Sequence, residues 1–135
     1  MTEVDIIWRG EFTNDEIHAL HAAAFETRVF DASEWDWVAQ VARHSLGWVV
    51  ARAEGEFVGF VNVLWDGLVH AFLEDVMVDA RHRGGGVGVR LVHEARDQAQ
   101  AAGCEHLHVG FGEELAAFYV DACGFTREVH GRIEL

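Results

Sequence analysis

Val76-Met77-Val78-Asp79-Ala80-Arg81-His82-Arg83-Gly84-Gly85-Gly86-Val87-Gly88-Val89-Arg90-Leu91-Val92 is the stretch that decides the reading of this chain. It runs from a β-branched segment through a basic, glycine-packed turn into a helical pattern. Glycines let the backbone curl until successive amide N–H groups face one concavity. The helix that follows adds its own unpaired amides and the positive end of its dipole. Such a concavity holds a phosphate or pyrophosphate. Arg83 adds charge at its rim, and Arg81 and Arg90 gather further basic charge nearby in the sequence. The stretch predicts binding of a phosphorylated cofactor.

Two common phosphate loops do not fit. A P-loop ends in Gly-Lys-Ser/Thr, and neither lysine nor a hydroxyl residue follows Gly88. A dinucleotide fingerprint needs G-x-G-x-x-G, but position 89 is valine and the loop comes late in the chain. What remains is Arg83-x-x-Gly86-x-Gly88. It resembles the R/Q-x-x-G-x-G/A pyrophosphate loop of the GNAT N-acetyltransferase superfamily. Downstream, Leu115-Ala116-Ala117-Phe118-Tyr119-Val120-Asp121-Ala122-Cys123-Gly124-Phe125 is similar to the family's A-x-x-F-Y-x-x-x-G-F element. Read on its own, that segment is an apolar helical stripe of Leu115, Phe118, Tyr119 and Ala122. Gly124 stands where a helix end wants a left-handed residue.

Along the chain, strand and helix patterns alternate. Strands are expected at Val4–Arg9, Gly47–Ala53, Glu56–Trp65, Ala71–Val78 and His106–Phe111. Glu54-Gly55 and Asp66-Gly67 read as turns. Helices are expected after an Asn14 cap, over Glu34–His44, over Val87–Ala102 and over Glu113–Cys123. Thr126–Leu135 reads as a closing strand or hairpin. This order matches the resemblance, which implies an α/β (α+β) GNAT fold. Its centre is a mixed, mostly antiparallel sheet of about six to seven strands flanked by helices, with splayed fourth and fifth strands. A single N-acetyltransferase domain over residues 1–135 is expected.

The resemblance also implies the chemistry. The cofactor is acetyl-CoA, acting as cosubstrate, and the acceptor is an amine. The backbone of Val76, Met77 and Val78 would pair with the pantetheine arm. Arg83, Gly84, Gly85, Gly86, Val87, Gly88 and Val89 would hold the pyrophosphate. Tyr119, the only tyrosine, takes the position of the family's general acid. A phenol near pKa 10 can protonate a departing thiolate and stay protonated itself at neutral pH. The bland alternative is a core tyrosine. Glu74 resembles the carboxylate that draws the amine proton through water in amine-acetylating relatives. Asp75, water alone or a histidine are the alternatives. Period 2 sends Glu74 and Asp75 to opposite faces of a regular strand. A second reading of the whole chain is a non-catalytic member that binds CoA as a sensor or interaction module.

Other features set limits. A formal net charge of −13 speaks against nucleic-acid or anionic-membrane partners. No 18-residue apolar run or secretory pattern is present, so a cytoplasmic location is expected. Cys104 and Cys123 read as reduced and buried. Nine histidines raise the question of a metal. His106 and His108 share a strand face with His70 near them, but the spacing lacks a third ligand and no metal is expected. Phe25, Phe30, Trp35 and Trp37, interleaved with acids, read either as an ammonium-binding lining or as a packed aromatic face. Where many family members have an asparagine after the fifth strand, this chain has Gly110-Phe111-Gly112-Glu113-Glu114. Only ten residues follow Phe125. The seventh strand is therefore very short, absent or donated by a partner, and an exposed sheet edge would favour a homodimer.

Overall fold

The structure, a computed structural model, describes residues 3–135. Five strands form one sheet in sequential order: β1 (Val4–Trp8), β2 (Ser45–Ala53), β3 (Glu56–Trp65), β4 (His70–Val78) and β5 (His106–Val109). The first four pair antiparallel, and β4 pairs parallel with β5. The β2–β3 hairpin closes through Glu54 and Gly55, both at positive φ (51° and 82°). That pair of left-handed residues matches the twist of the flanking strands.

Helices cover both faces. Helix α1 (Asn14–Phe25) begins one residue earlier than an Asn14 cap would place it. Thr13 is the cap: its hydroxyl accepts from the Glu16 amide while the Glu16 carboxylate accepts from the Thr13 amide. Helix α2 (Trp37–His44) is capped by Asp36, which shortens the expected Glu34–His44 helix. Helix α3 (Val87–Ala101) starts at Gly86. On one sheet face Val49, Ala51, Val61, Val63 and Leu73 pack against Val87, Leu91, Val92, Ala95 and Ala99 of α3. On the other, Val50, Phe60 and Met77 pack against Ile17, Leu20, Trp37 and Val41 of α1 and α2. Each fully buried Val, Leu or Phe contributes about 1.5–3 kcal/mol against its exposed state.

Two expectations at the C-terminal end are corrected. Glu113–Cys123 is not one α-helix. It is a 3₁₀ turn over Glu113–Leu115 followed by a wide π-helical turn over Ala117–Ala122. In it the Cys123 amide donates to the Phe118 carbonyl, five residues back, at 2.9 Å. The wide turn lets two neighbours in sequence both pack inward: Phe118 lies over Gly88 and Tyr119 is 6% exposed. Thr126–Leu135 forms no strand, so the sheet has five strands and not six to seven. Strand β5 ends at Val109, and Gly110 and Gly112 beyond it have no side chains to hold a neighbouring strand. Val129, Ile133 and Leu135 are left fully in solvent.

Candidate active site

The site begins with an irregularity in β4. Asn62 of β3 faces Glu74, and Phe60 faces Met77, so Val61 alone is opposed by both Asp75 and Val76. This is a β-bulge. Asp75 takes it up with φ 57°, a left-handed conformation that aspartate tolerates better than most residues. The bulge has two consequences. First, it cancels the expected alternation of Glu74 and Asp75. Glu74 shares a face with its cross-strand partner Asn62, and the Asn62 amide donates to Asp75 Oδ2 at 3.2 Å. Both carboxylates therefore stand on the Asn62 side. Second, it bends β4 away from β5. The two strands pair only from His70–His106 to Leu73–Val109, and Glu74 to Val78 continue without β5 beside them.

The resulting gap is lined by backbone. The Asp79 amide donates to the Val58 carbonyl of β3 at 2.8 Å. Alternation then turns the peptide groups of Val78 and Val76 away from β3, toward the gap. Those of Met77 turn to β3, and its side chain is buried against α1 and α2. At the end of β4 the chain passes through a 3₁₀ turn (Ala80–His82) and the glycine loop into α3. Gly84 and Gly86 have φ of 83° and 85°, and a Cβ at either would meet nothing within 4 Å. The loop is open and its curl depends on these glycines. Gly88 differs: a Cβ there would come within 3.0 Å of the Phe118 ring. Val87, Gly88 and Val89 supply the first unpaired amides of α3.

Of the three nearby arginines, only Arg83 belongs to this loop by its contacts. Its Nε donates to the Val78 carbonyl at 3.0 Å. Arg81 is held in ion pairs with Asp79 (3.1 Å) and Glu56 (2.6 Å). Arg90 reaches back to the Val4 carbonyl of β1 at 3.0 Å. The basic cluster seen in the sequence is therefore dispersed by neighbouring acids and by the helical period.

Tyr119 stands in an aromatic cluster. Its ring stacks on Phe111 at 5.0 Å and meets Phe118 and Phe125 edge-on. Burial, then the Cys123 and Glu74 charges, push its pKa up to about 12. Burial and the charge of Asp75 raise Glu74 above the usual carboxylate range, with His130 acting against them. Burial raises Asp75 too, opposed by its Asn62 hydrogen bond and by His21. Two carboxylates with raised proton affinity and a phenol held protonated can take up one proton and supply another.

Some residues were not legible as site residues. Asn62 is 1% exposed and braced by a hydrogen bond from the Ser45 hydroxyl. Its only signal in the sequence was a lone amide within the apolar run Phe57–Leu64. His21 and His130 carried no distinguishing spacing. Phe30, Trp35 and Trp37 pack on one another, while Phe25 lies half exposed beside His21. Trp35 stacks on Trp37 at 4.2 Å, Trp37 is fully buried, and Arg28 already lies over Phe30. Cys104 and Cys123 are half-buried free thiols and not core residues. His70, His106 and His108 do come together, with His70 Nδ1 2.8 Å from His108 Nε2. Among the described residues, no group of three or more His, Cys, Asp or Glu is arranged to hold a metal ion.

Comparison with known proteins agrees with this architecture. The model of the Acetyltransferase (GNAT) family matches residues 14–125. A probable glucosamine 6-phosphate N-acetyltransferase 2 from Oryza sativa subsp. japonica is 41% identical over 56 residues, 42% of this chain and 33% of that protein. The match thus spans about a third of that curated relative. Glucosamine-6-phosphate N-acetyltransferase from Arabidopsis thaliana superposes with a TM-score of 0.75 at 18% identity, over 97% of this chain and 98% of that one. The aminoglycoside N-acetyltransferase AAC(6')-Iy in complex with CoA gives 0.79 at 18% identity, over 100% and 95%. These structural likenesses carry the fold. The family match covers most of the chain, and with the splayed strands and glycine loop it settles membership: this protein belongs to the GNAT acetyltransferase family.

Proposed function

We propose that this protein is an N-acetyltransferase that moves an acetyl group from acetyl-CoA to a primary amine of a small molecule or peptide. One observation carries the reading: beyond Leu73, β4 runs without β5 beside it from Glu74 to an open glycine loop, and Tyr119 feels the charge of Glu74. The residues fit the cofactor. Left-handed glycines without atoms over them leave room for a pyrophosphate beside the α3 amides. The outward Val76 peptide group and Val78 amide suit an extended, amide-bearing arm; the Val78 carbonyl already accepts from Arg83, and Met77, expected to pair with the arm, pairs with β3 instead.

When bound, acetyl-CoA supplies an acetyl thioester, whose C–S bond breaks as the amine nitrogen bonds the carbonyl carbon. The Val76 amide is the donor available to polarise that carbonyl. Glu74 takes the proton that the amine loses. Tyr119 gives its hydroxyl proton to the departing thiolate. Its high pKa keeps the hydroxyl protonated at neutral pH, so a proton is present to pass as the C–S bond breaks.

The relatives' names point to amine-bearing sugars as substrates of those proteins, which supports an amine acceptor here. The exposed Val129, Ile133 and Leu135 support a homodimer in which a second copy covers them. Two free thiols, and no helix among the described residues long and apolar enough to cross a membrane, support a cytoplasmic location. The charge of −13 supports a role without nucleic-acid or membrane partners.

The test is a thiol-release assay with acetyl-CoA and a panel of amines. Turnover with at least one amine, strongly reduced in Glu74→Gln, is expected. Binding of acetyl-CoA without turnover of any amine class would overturn the enzyme reading in favour of a sensor.

A further inference from the structure

The face of the sheet that carries Glu74 is covered by α1 and α2 only over β2, β3 and the end of β4. Beyond them, His70 faces His106 and Phe72 faces His108 across the β4–β5 pair. Alternation puts these four rings on the same face as Glu74. The rings stand upright against one another: His70 stacks on His106 at 4.9 Å, and Phe72 on His108 at 4.8 Å. Stacked upright, they turn their edges outward, not their flat sides. A cavity of about 580 Å³ runs along β5, between it and the segment from Gly124 to His130, and reaches this shelf at Phe72, His106 and His108. That volume lies within the range that small-molecule sites occupy. Its wall includes Phe72, Glu74, His106, His108 and His130. His130 packs over Gly110, where a Cβ would come within 3.3 Å of its ring.

The chemistry of this wall is specific. A neutral imidazole offers one donor and one acceptor, the same pair that an alcohol offers. One nitrogen of His108 is engaged by His70, which orients the ring and leaves its other nitrogen for a ligand. His106 is exposed at the cavity. Three imidazole edges beside a carboxylate match several hydroxyls beside an ammonium. The wall does not suit an anion. Glu74, Glu105, Glu113 and Glu128 all line it, and the Arg127 guanidinium there is already paired with Glu113 at 2.8 Å.

We propose that this cavity is the acceptor site and takes a hydroxyl-rich amine, an unphosphorylated amino sugar, with His106, His108 and His130 on its hydroxyls and Glu74 at its amino group. The assignment rests on the transferase reading for the reaction, but the binding site can be tested without it. Histidine ring resonances are followed by NMR in the CoA-saturated protein during separate titrations with glucosamine, glucosamine 6-phosphate and butane-1,4-diamine. Saturable shifts of the His106, His108 and His130 rings are expected with glucosamine, at lower concentration than with the phosphate or the diamine. Where turnover is measured, His108→Ala and His106→Ala should each raise KM for glucosamine about tenfold, the loss of one or two hydrogen bonds. KM for acetyl-CoA should not move. Rings untouched by glucosamine, or tighter binding of the phosphate, would overturn the assignment while leaving the transferase reading intact. Glucosamine binding without any acetyl transfer would retain the site and remove the reaction.

Discussion

Replacing Tyr119 by phenylalanine removes one oxygen from a ring that is otherwise held by its neighbours. The ring keeps its stack on Phe111 and its edge contacts with Phe118 and Phe125. Among the described residues, the hydroxyl has no side-chain hydrogen-bond partner. The fold should therefore lose less than about 1 kcal/mol, the net worth of a typical hydrogen bond. The catalytic loss should be much larger. A positioned general acid contributes about 10²–10⁴-fold, or about 3–5 kcal/mol of barrier. The wild-type phenol, pushed up to about 12 by burial, stays protonated over the whole working range. The alkaline limb of the wild-type rate should thus not come from Tyr119. The assay is kcat by thiol release at saturating acetyl-CoA, with a calorimetric Kd for acetyl-CoA and a melting curve on the same protein. A kcat within about threefold of wild type would show that the hydroxyl does not protonate the leaving group, since a general acid should cost far more. A collapse of cofactor affinity at unchanged kcat would make Tyr119 a binding residue instead.

Glu74→Gln should lower kcat by about 10²-fold or more, and in the wild-type enzyme kcat/KM should fall in acid through a midpoint above the ordinary glutamate value, because burial and Asp75 raise that group; a midpoint at or below that value would count against it. Asp75→Asn should raise the melting temperature at neutral pH. The folded-state pKa of Asp75 is raised, so its favourable contribution is present in acid and lost as pH rises through that pKa; the gain from asparagine should vanish in acid, and a pH-independent gain would refute the charge argument. Gly88→Ala pushes a Cβ to 3.0 Å from the Phe118 ring and should cost about 1–3 kcal/mol by overpacking. Gly86→Ala has free space but a φ of 85°, so it should cost about 1–2 kcal/mol through strain alone; chemical denaturation of both variants separates the two causes.

Much of the architecture was legible because it rests on local pattern. The glycine loop, the Glu54-Gly55 turn and the apolar faces of β2 to β4 are readable from residue type and period. Asp75 was not, because a bulge depends on the register of two strands distant in sequence. With the bulge unseen, period 2 separated Glu74 from Asp75, whereas the folded chain brings both to Asn62. The arginines show the same limit. Arg81 and Arg90 are neighbours of the loop in sequence, but Glu56 and the Val4 carbonyl, both distant in the chain, claim them. The π-helical turn under Tyr119 also escaped, since its stripe reads as an ordinary helix. Its width follows from packing Phe118 and Tyr119 inward together. The missing closing strand follows from what β5 lacks: a strand of four residues, followed by Gly110 and Gly112, offers only a short edge.

The proposed chemistry begins with the glycine loop holding the pyrophosphate of acetyl-CoA. Isothermal calorimetry of the wild-type protein and of Gly86→Trp with acetyl-CoA tests it most directly. Saturable binding of one molecule per chain is expected for the wild type, and none for a folded Gly86→Trp variant. No binding by the folded wild type, or equal binding by both, would contradict it.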